Sequence, residues 1–214
     1  MRIKTLLLLL LISTVTFAQK DAKAKSWLDK TSDTFAEAKD MSILFSMNIK
    51  NLDDNISESF EGSINIKGAK FHLDTPEMEA WFDGKVQWVL QKAWGEVSIN
   101  EPSKEEVQAI NPITIFNLYK AACNYKYIGE KKDAKGQAVH EIELTPIDKK
   151  SEMNKIIIQI NPIDSLPVKI QITYNSNIEN IIHINNYKKN QKLSDSSFVF
   201  NAVKYPDAEI IDLR

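Results

Sequence analysis

The chain has 214 residues, 27 Lys and Arg against 29 Asp and Glu, and a formal net charge of −2. This near balance excludes the strongly basic surface with which proteins bind nucleic acid or anionic membranes. A single cysteine, Cys123, excludes an internal disulfide, so burial of apolar residues has to stabilise the fold. We expect Cys123, which follows Ala121 and Ala122, to be a small buried residue, because no histidine that could activate it lies nearby in the sequence.

The first eighteen residues have the pattern of a secretory signal peptide. Arg2 and Lys4 precede the apolar run from Leu6 to Ile12, and Thr16-Phe17-Ala18 places small residues before a cleavage site. A retained membrane anchor is the alternative, but this run is shorter than the ~20 residues that span a bilayer. We therefore expect residues 1–18 to be cleaved before Gln19, leaving a periplasmic protein with 25 basic and 29 acidic residues. The residue directly after the cleavage site is Gln19 and not the cysteine that lipid attachment requires, so we expect no lipid anchor.

The mature part of the chain, residues 19–214, has a length that fits one domain, because all-β barrels of this size commonly remain undivided. Its first predicted element is an amphipathic helix. Between Asp21 and Asp40, apolar or small residues recur at intervals of three and four, at Ala24, Trp27, Leu28, Thr31, Phe35 and Ala38. This spacing places them on one stripe of a helix.

Beyond the helix, apolar residues alternate with polar ones, as in half-buried antiparallel strands. The alternating apolar residues of the first two segments are Ile43, Phe45, Met47, Ile49, Phe60, Ile64 and Ile66. Asp83-Gly84 separates two further runs, 77–82 and 85–92, and Asp-Gly between such runs is a strong hairpin signal. Further strands are predicted at 70–74, 94–100, 124–129, 138–144, 154–160, 166–174, 178–186 and 197–200. We predict a mainly β protein, a meander of about 10–11 strands that curls into an unclosed antiparallel barrel.

One segment interrupts the predicted strands. Glu101 to Glu106 is rich in acidic residues and contains Pro102, and Asn111-Pro112 offers an Asn N-cap followed by Pro at the first helical position. The apolar residues that follow are Ile113, Ile115, Phe116, Leu118 and Tyr119. They cover nearly every side of the predicted helix, so we expect it to be buried or to lie as a lid across an apolar opening.

The sequence contains no recognisable catalytic centre. His72, His140 and His183 each lie alone within a predicted strand, which favours solvated strand positions over a metal site. His140 fits a solvated position less well, because alternation places it in line with Ile142 and Leu144. Glu141 and Glu143 share one face of a strand, where carboxylates are usually solvated. The nucleophile elbow, the Gly-rich phosphate loop and the helical zinc motif are absent from the sequence. We expect neither an enzyme nor a bound cofactor or metal.

Aromatic and methionine residues are concentrated in the first half of the predicted sheet. They either fill a core or line a cavity, because two helical segments are too small to cover the inner face of a wide curved sheet. The candidate cavity residues are Phe45, Met47, Phe60, Ile64, Phe71, Met78, Phe82, Trp88, Leu90, Trp94, Ile113 and Phe116. Alternation places Trp81 on the opposite face from Phe82. An apolar cavity of this kind suits a ligand with long hydrocarbon tails.

Several stretches have a familiar order and spacing. Phe60 to Lys67 is a glycine-containing strand that ends in a basic turn, Lys70 to Asp74 is the next strand, and in Phe82 to Trp88 an Asp-Gly-Lys turn lies two residues before a tryptophan. Further matches are Asn111-Pro112, Leu144-Thr145-Pro146, and a C-terminal phenylalanine segment that leads into Ile211-Asp212. Together they resemble the LolA family of outer-membrane lipoprotein carriers, over most of the mature chain.

The resemblance implies a periplasmic chaperone without catalytic residues, in which an unclosed barrel capped by helices holds lipoprotein acyl chains. It further implies an inner-membrane lipoprotein-releasing transporter that supplies the cargo and an outer-membrane acceptor that takes it. We expect the carrier to be a monomer that binds no nucleic acid. Two alternatives remain open, a periplasmic binding module for another lipid or lipid-linked product, and a regulatory domain of the same fold that senses lipoproteins.

The sequence departs from the family pattern at one turn. The family usually has an Arg-Pro pair after the basic strand, and its arginine ties the lid to the barrel, whereas here Lys67 is followed by Gly68-Ala69-Lys70. A lysine is a point charge without the planar fork of a guanidinium. We therefore expect a weakly held lid, with residues 112–120 opening easily in the empty protein.

Overall fold

The computed structural model describes residues 21–103, 106–107 and 112–214. The predicted signal peptide and the predicted N-cap Asn111 lie outside these residues. The helices α1 and α2 comprise Ala22–Glu37 and Ile115–Ala122. The strands, in chain order, are β1 Met41–Asn51, β2 Ile56–Lys67, β3 Lys70–Asp74, β4 Met78–Phe82, β5 Gln87–Gln91, β6 Glu96–Asn100, β7 Cys123–Lys132, β8 Ala138–Pro146, β9 Met153–Ile160, β10 Pro167–Tyr174, β11 Ile178–Lys189 and β12 Glu209–Asp212.

The predicted N-terminal helix is confirmed and begins with a side-chain cap. One carboxylate oxygen of Asp21 accepts hydrogen bonds from the backbone N–H groups of Lys23 (2.8 Å) and Ala24 (3.0 Å). These bonds satisfy donors that the first turn of a helix leaves free. The other oxygen accepts from the N–H of Tyr127 on β7 (3.0 Å), so the cap also attaches α1 to the sheet. The helix buries its apolar stripe, which includes Leu28.

All the strands belong to one sheet, in the order β12-β6-β5-β4-β3-β2-β1-β11-β10-β9-β8-β7. Neighbouring strands are antiparallel, except that β12 runs parallel to β6. The edge strands β7 and β12 do not pair with each other, so the barrel is unclosed, as predicted. The meander has 12 strands among the described residues, slightly more than predicted.

The inner face of the sheet is the face on which α1 and α2 pack. One row of residues at directly paired positions crosses seven strands and consists of Phe60, Met47, Ile182, Ile170, Ile158, Ile142 and Tyr127. Side chains at paired positions point to the same face, so such rows form a continuous apolar surface. Leu28 of α1 and Phe116 and Tyr119 of α2 belong to the same core. Cys123 is buried beside it, as expected.

The segment 190–208, here called the C-terminal strap, crosses the outer face of the sheet. Its Phe200 and Tyr205 pack on a small cluster that contains Trp81, Leu90 and Val97. The ring centroid of Trp81 lies 5.4 Å from that of Phe200 and 5.7 Å from that of Tyr205. Trp81 therefore lies on the outer face, as predicted.

The prediction of a strand at 197–200 is wrong. A 3-10 turn, Asp195–Phe198, occupies most of this stretch, and the Ser194 side chain accepts from the N–H of Ser196 to cap it. Phe198 is fully buried. Phe198 is therefore apolar because it anchors the strap, and not because it belongs to a strand. The last strand, β12, lies further along the chain.

Polar contacts fix the beginning of the strap. The carboxylate of Asp40, which is buried, accepts a hydrogen bond from the backbone N–H of Leu193 (3.1 Å). Lys67 donates to the carbonyl of Leu193 (2.9 Å) and pairs with Asp195 (2.7 Å), which also pairs with Lys70 (3.2 Å). In this turn the family usually has an Arg-Pro pair. Here Lys67 and Lys70 flank the turn, and both hold the strap.

The lid segment has a different start from the predicted one. Pro112–Thr114 forms a 3-10 turn, and the α-helix begins only at Ile115, with Thr114 in the N-cap position and no side-chain cap. Such tight turns are frequent at the N-termini of α-helices. Within the part of the chain that the structure describes, no helix has the length and apolar character needed to cross a membrane.

Candidate functional site

Two cavities lie between the inner face of the sheet and the helices. The larger cavity has a volume of about 840 Å³ and lies where α1 ends and β1 begins. The smaller cavity has a volume of about 250 Å³ and lies further along β1. Ile113, in the turn before α2, lines both cavities, so the two cavities meet at this side chain.

The wall of the larger cavity is mainly apolar. The apolar lining side chains are Phe35, Ala36, Ala38, Met41, Ile66, Ala69, Phe82, Pro102, Val107 and Ile113. Its charged residues already have partners, since Lys85 pairs with Glu101 (3.0 Å) and Asp40 accepts hydrogen bonds from the strap. The cavity therefore offers apolar surface, with its charges engaged elsewhere.

The smaller cavity is lined by strands from both halves of the sheet. Its apolar lining residues are Ile43, Phe45, Met47, Ile49, Phe60, Ile64, Leu73, Met78, Ile113, Ile170, Ile172, Ile182 and Ile184. A few polar residues, Thr75, Glu77, Tyr174 and Asn180, also line it. The combination of an apolar wall and a few polar groups is typical of ligand sites.

The two cavities together follow β1 for most of its length. Met41 lines the larger one and Ile49 the smaller one. At a rise of about 3.3 Å per residue, these positions are about 26 Å apart. The hydrocarbon core of a bilayer is about 30 Å thick, so a lipid chain in one leaflet spans about 15 Å. The path along β1 is longer than such a chain.

The structure brings together most of the predicted cavity residues. Those that line a cavity are Phe45, Met47, Phe60, Ile64, Met78, Phe82 and Ile113. Phe71 and Phe116 are buried in the core beside the cavities, with the ring of Phe71 5.5 Å from that of Phe82. Their role in binding stays a prediction.

Trp88 and Leu90 lie on the outer face, so their predicted orientation is wrong. Trp88 pairs with Trp81 across β4 and β5, and both side chains belong to the outer cluster, together with Leu90. The inner positions of β5 are instead Gln87 and Val89. The prediction failed because the strap covers the outer face here, so both faces of β5 carry apolar residues and alternation does not identify the inner one.

Trp94 does not reach a cavity either, and its predicted place on a strand is also wrong. It lies in the turn between β5 and β6 and is 79% exposed. The N–H groups of Trp94 and Gly95 both donate to the carbonyl of Gln91 (3.1 and 2.9 Å), which closes a tight turn before β6 begins.

Sequence reasoning missed the isoleucines of β10 and β11 that form one wall of the smaller cavity, Ile170, Ile172, Ile182 and Ile184. It also missed Phe35 and Ala38, at the end of α1, which line the larger cavity. A signal was present, because alternation had identified both strands. The prediction concentrated on the first half of the sheet, which is rich in aromatic residues and methionines, whereas the cavity walls also use isoleucines of the second half and the end of α1.

Gly62 explains how Phe45 lies in the wall of the smaller cavity. The two residues are directly paired on β1 and β2. A Cβ atom added to Gly62 would lie 2.6 Å from Cζ of Phe45 and 2.9 Å from the carbonyl oxygen of Asp74. The phenyl ring therefore occupies the space that any larger residue at this position would need.

A shared carboxylate clamps α2 onto α1. The Tyr119 hydroxyl donates to Asp29, whose carboxylate also pairs with Lys120 (2.7 Å) and with Lys25. Burial opposes ionisation of Asp29, but hydrogen bonds from Lys120, Lys25 and Tyr119 outweigh it and hold the pKa of this carboxyl below its ordinary value. Burial and the bond to Asp29 raise the pKa of Tyr119. The lid helix thus has a polar attachment that the sequence did not suggest.

Two of the three histidines have specific partners. For His72 this differs from the predicted solvated position, whereas the burial of His140 agrees with its alternation in line with Ile142 and Leu144. Nε2 of His72 lies 2.6 Å from a carboxylate oxygen of Glu79 on the outer face. His140 is buried, with Nδ1 2.8 Å from the Tyr127 hydroxyl, and burial lowers its pKa. His183 is exposed. Among the described residues, no group of three His, Cys, Asp or Glu side chains is arranged to hold a metal ion.

Comparison with solved structures places the fold beside known proteins. An uncharacterized conserved protein from Thermus thermophilus superposes with a TM-score of 0.60 at 9% identity, over 89% of this chain and 99% of its own. LprF from Mycobacterium bovis gives 0.49 at 13% identity, over 82% and 96%. The LolA superfamily protein NE2245 from Nitrosomonas europaea gives 0.45 at 12% identity, over 83% and 97%.

Comparison of the sequence with family models gives the family. A search of curated proteins returned no match. The model described as outer membrane lipoprotein carrier protein LolA matches residues 14–175, most of the 214-residue chain. The matched part extends from before α1 to the end of β10 and includes most of the residues that line the two cavities. The chain therefore belongs to the LolA family of outer membrane lipoprotein carrier proteins.

Proposed function

We propose that this protein is a periplasmic carrier that shields the acyl chains of lipoproteins in the two cavities and transfers them from the inner to the outer membrane. The observation that carries the proposal is the apolar path along β1, which runs through both cavities under the helices. Family membership supports the same function. On this proposal an inner-membrane releasing transporter supplies the lipoprotein and an outer-membrane acceptor receives it.

Unfilled apolar volume favours a binding role over a structural one. Protein interiors are normally packed without voids, and apolar cavities destabilise the fold because their walls lose van der Waals contacts. The larger cavity, at about 840 Å³, falls within the range of roughly 300 to 1,000 Å³ that is typical of ligand pockets. An occupant with hydrocarbon chains would restore the missing contacts.

The energy available to hold an acyl chain follows from the buried methylene groups. Each contributes about 0.8 kcal/mol, so ten buried methylenes stabilise the complex by roughly 8 kcal/mol before the cost of ordering the chain. Such a complex is stable enough to carry a chain through water, and the acceptor has to offer a comparable apolar environment to release it.

Binding of an environment-sensitive apolar dye, and its displacement by acylated peptide, tests the proposal. Met47→Asp places a charge on the smaller cavity wall and should weaken binding, because an unpaired charge among apolar side chains is strongly unfavourable. The control is Leu44→Asp on the same strand, at a residue that is 48% exposed and lines neither cavity. Equal binding by folded Met47→Asp and by the wild type would contradict the proposal.

Native mass spectrometry of the protein isolated from its own periplasm identifies the cargo. A bound lipoprotein supports the carrier function. A free lipid, or an empty protein in complex with a protein partner, would contradict it and favour one of the alternatives considered from the sequence.

A further inference from the structure

One polar side chain interrupts the apolar wall of the smaller cavity. Asn180 on β11 is directly paired with Ile49 on β1 and with Ile172 on β10. All three residues line the cavity. Because paired side chains point to the same face, the amide of Asn180 lies between two isoleucines.

The amide of Asn180 is only partly hydrogen-bonded. Its Nδ2 donates to the hydroxyl of Tyr174 at 3.4 Å, and its Oδ1 is buried without a partner among the described residues. Burial raises the pKa of Tyr174, so this hydroxyl keeps its proton. That proton has no acceptor in the hydrogen bonds described for the cavity. Turning the amide around exchanges its two ends and still leaves one of them unpaired.

The position of Asn180 distinguishes it from other buried amides with an unpaired atom. Asn48, Gln87 and Asn100 also have one each among the described residues, and none of them lines either cavity. An unpaired polar group costs folding free energy, which a ligand recovers only where it can reach that group. Of these four amides, only Asn180 lines one of the two cavities, where a ligand can reach it.

The charges around the smaller cavity disfavour an anionic ligand. Glu77 lines the same cavity as Asn180. The neighbouring Lys92 is engaged in an ion pair with Asp74 (2.5 Å) and donates to the carbonyl of Thr75 (2.7 Å). A carboxylate or phosphate would therefore share the cavity with the negative charge of Glu77, and repulsion from that charge does not act on an uncharged polar group.

We propose that Asn180 and Tyr174 form a polar subsite that selects acyl chains carrying an uncharged amide or hydroxyl group. Such a group both donates and accepts, so its N–H or O–H would bond to Oδ1 of Asn180 and its oxygen would accept the Tyr174 proton. The chain itself would lie against Ile49, Ile172 and Ile182. The inference rests on the proposed lipid-binding function and narrows the ligand class of the same cavity.

Competition for a bound apolar dye between oleamide and methyl oleate tests the subsite. Both probes have the same hydrocarbon chain, but methyl oleate has no hydrogen-bond donor. The wild type should bind oleamide about tenfold more tightly, which corresponds to about 1.4 kcal/mol. Asn180→Leu should reduce this ratio to about one without weakening methyl oleate. Tyr174→Phe should weaken both probes and leave the ratio nearly unchanged, because each probe offers a carbonyl oxygen to the Tyr174 hydroxyl. Oleic acid, as an anion, should bind no better than methyl oleate.

Asn48→Leu is the matched control, because it removes a buried amide with an unpaired oxygen at a position that lines neither cavity. It should leave the oleamide ratio unchanged. A wild-type ratio of one, or a full ratio in Asn180→Leu, would overturn the subsite while methyl oleate binding left the carrier function intact. Failure of all three probes to displace the dye would overturn both proposals.

Discussion

Removing the carboxylate of Asp29 should free the lid without disturbing the sheet. Asp29 on α1 accepts the hydrogen bond of the Tyr119 hydroxyl and pairs with Lys120, and both partners belong to α2. Tyr119 is only 1% exposed, and in Asp29→Ala its hydroxyl loses the carboxylate that accepts its hydrogen bond. We expect α2 to open more often, with Pro112–Thr114 moving with it.

The size of the effect follows from the exposure of the two contacts. A hydrogen bond to a largely buried charged group contributes roughly 1.5–3 kcal/mol. We assign this free energy to the bond from the Tyr119 hydroxyl to Asp29. The Lys120 side chain is 58% exposed, so its ion pair is screened by solvent and contributes about 0.2–1 kcal/mol. The free energy of opening should fall by about 2–4 kcal/mol, which is a factor of roughly 30 to 700 in the opening equilibrium.

Amide hydrogen exchange measures this opening directly. In Asp29→Ala, amides of 115–122 should exchange faster by that factor, while those of β9 should keep the wild-type rate. Tyr119→Phe should give most of the effect and Lys120→Gln little of it. Bound lipid should slow exchange of the segment in every variant. Unchanged protection of α2 in Asp29→Ala would refute the clamp, and easy opening in the wild type would show that the clamp does not replace the missing arginine.

Three further expectations follow from the same contacts. The pKa of Asp29 is held below its ordinary value of 3.8, so the carboxylate contributes fully to stability above about pH 4. This contribution is lost as the pH falls through the lowered pKa. Below pH 4 the stability of Asp29→Ala should therefore depend less steeply on pH than that of the wild type. Gly62→Ala should push the Phe45 ring into the smaller cavity, lower the free energy of unfolding by roughly 1–3 kcal/mol and weaken dye binding; an unaffected free energy of unfolding would show that the ring has room to move. A second change, Phe45→Leu, should restore part of the stability, because the contact of the added Cβ with the carbonyl oxygen of Asp74 remains. Trp88→Asp should loosen the strap but leave dye binding intact, and Trp94→Asp should change stability by at most about 0.5 kcal/mol; loss of binding in either variant would restore the orientation predicted from the sequence.

Alternation predicted the inner face reliably where the opposite face meets solvent. On β1, Phe45 and Met47 line the smaller cavity, whereas the residues that alternate with them, Ser46 and Asn48, are polar. The period-two pattern is clear there because water selects polar residues on one side only. On β5 the strap covers the outer face, so Trp88 on the outer face and Val89 on the inner face are both apolar. Alternation therefore does not show which face of β5 is the inner one.

The strap and the clamp could not be predicted because they depend on contacts between distant parts of the chain. Asp29 and Tyr119 are 90 residues apart in sequence, and Lys67 and Leu193 are 126 apart. No local period links such residues, and each is an ordinary polar or apolar residue within its own element. The family resemblance indicated that an arginine is missing after β2. In the structure, Lys67 and Lys70 at that turn bind the strap, and the lid helix is attached to α1 through Asp29.

The division between the two attachments suggests which part of the molecule moves when cargo passes. The strap is held by Phe198 in a buried position, by the ion pairs of Asp195 and by β12, which adds it to the sheet. The polar attachment of α2 centres on Asp29, and the turn before it contains Ile113, which lines both cavities. Opening this turn and helix would therefore uncover the two cavities at the side chain that they share. On the proposed function, the clamp has to be weak enough for a membrane partner to release it and strong enough to cover the acyl chain in transit, and one partly exposed carboxylate with several donors meets both requirements.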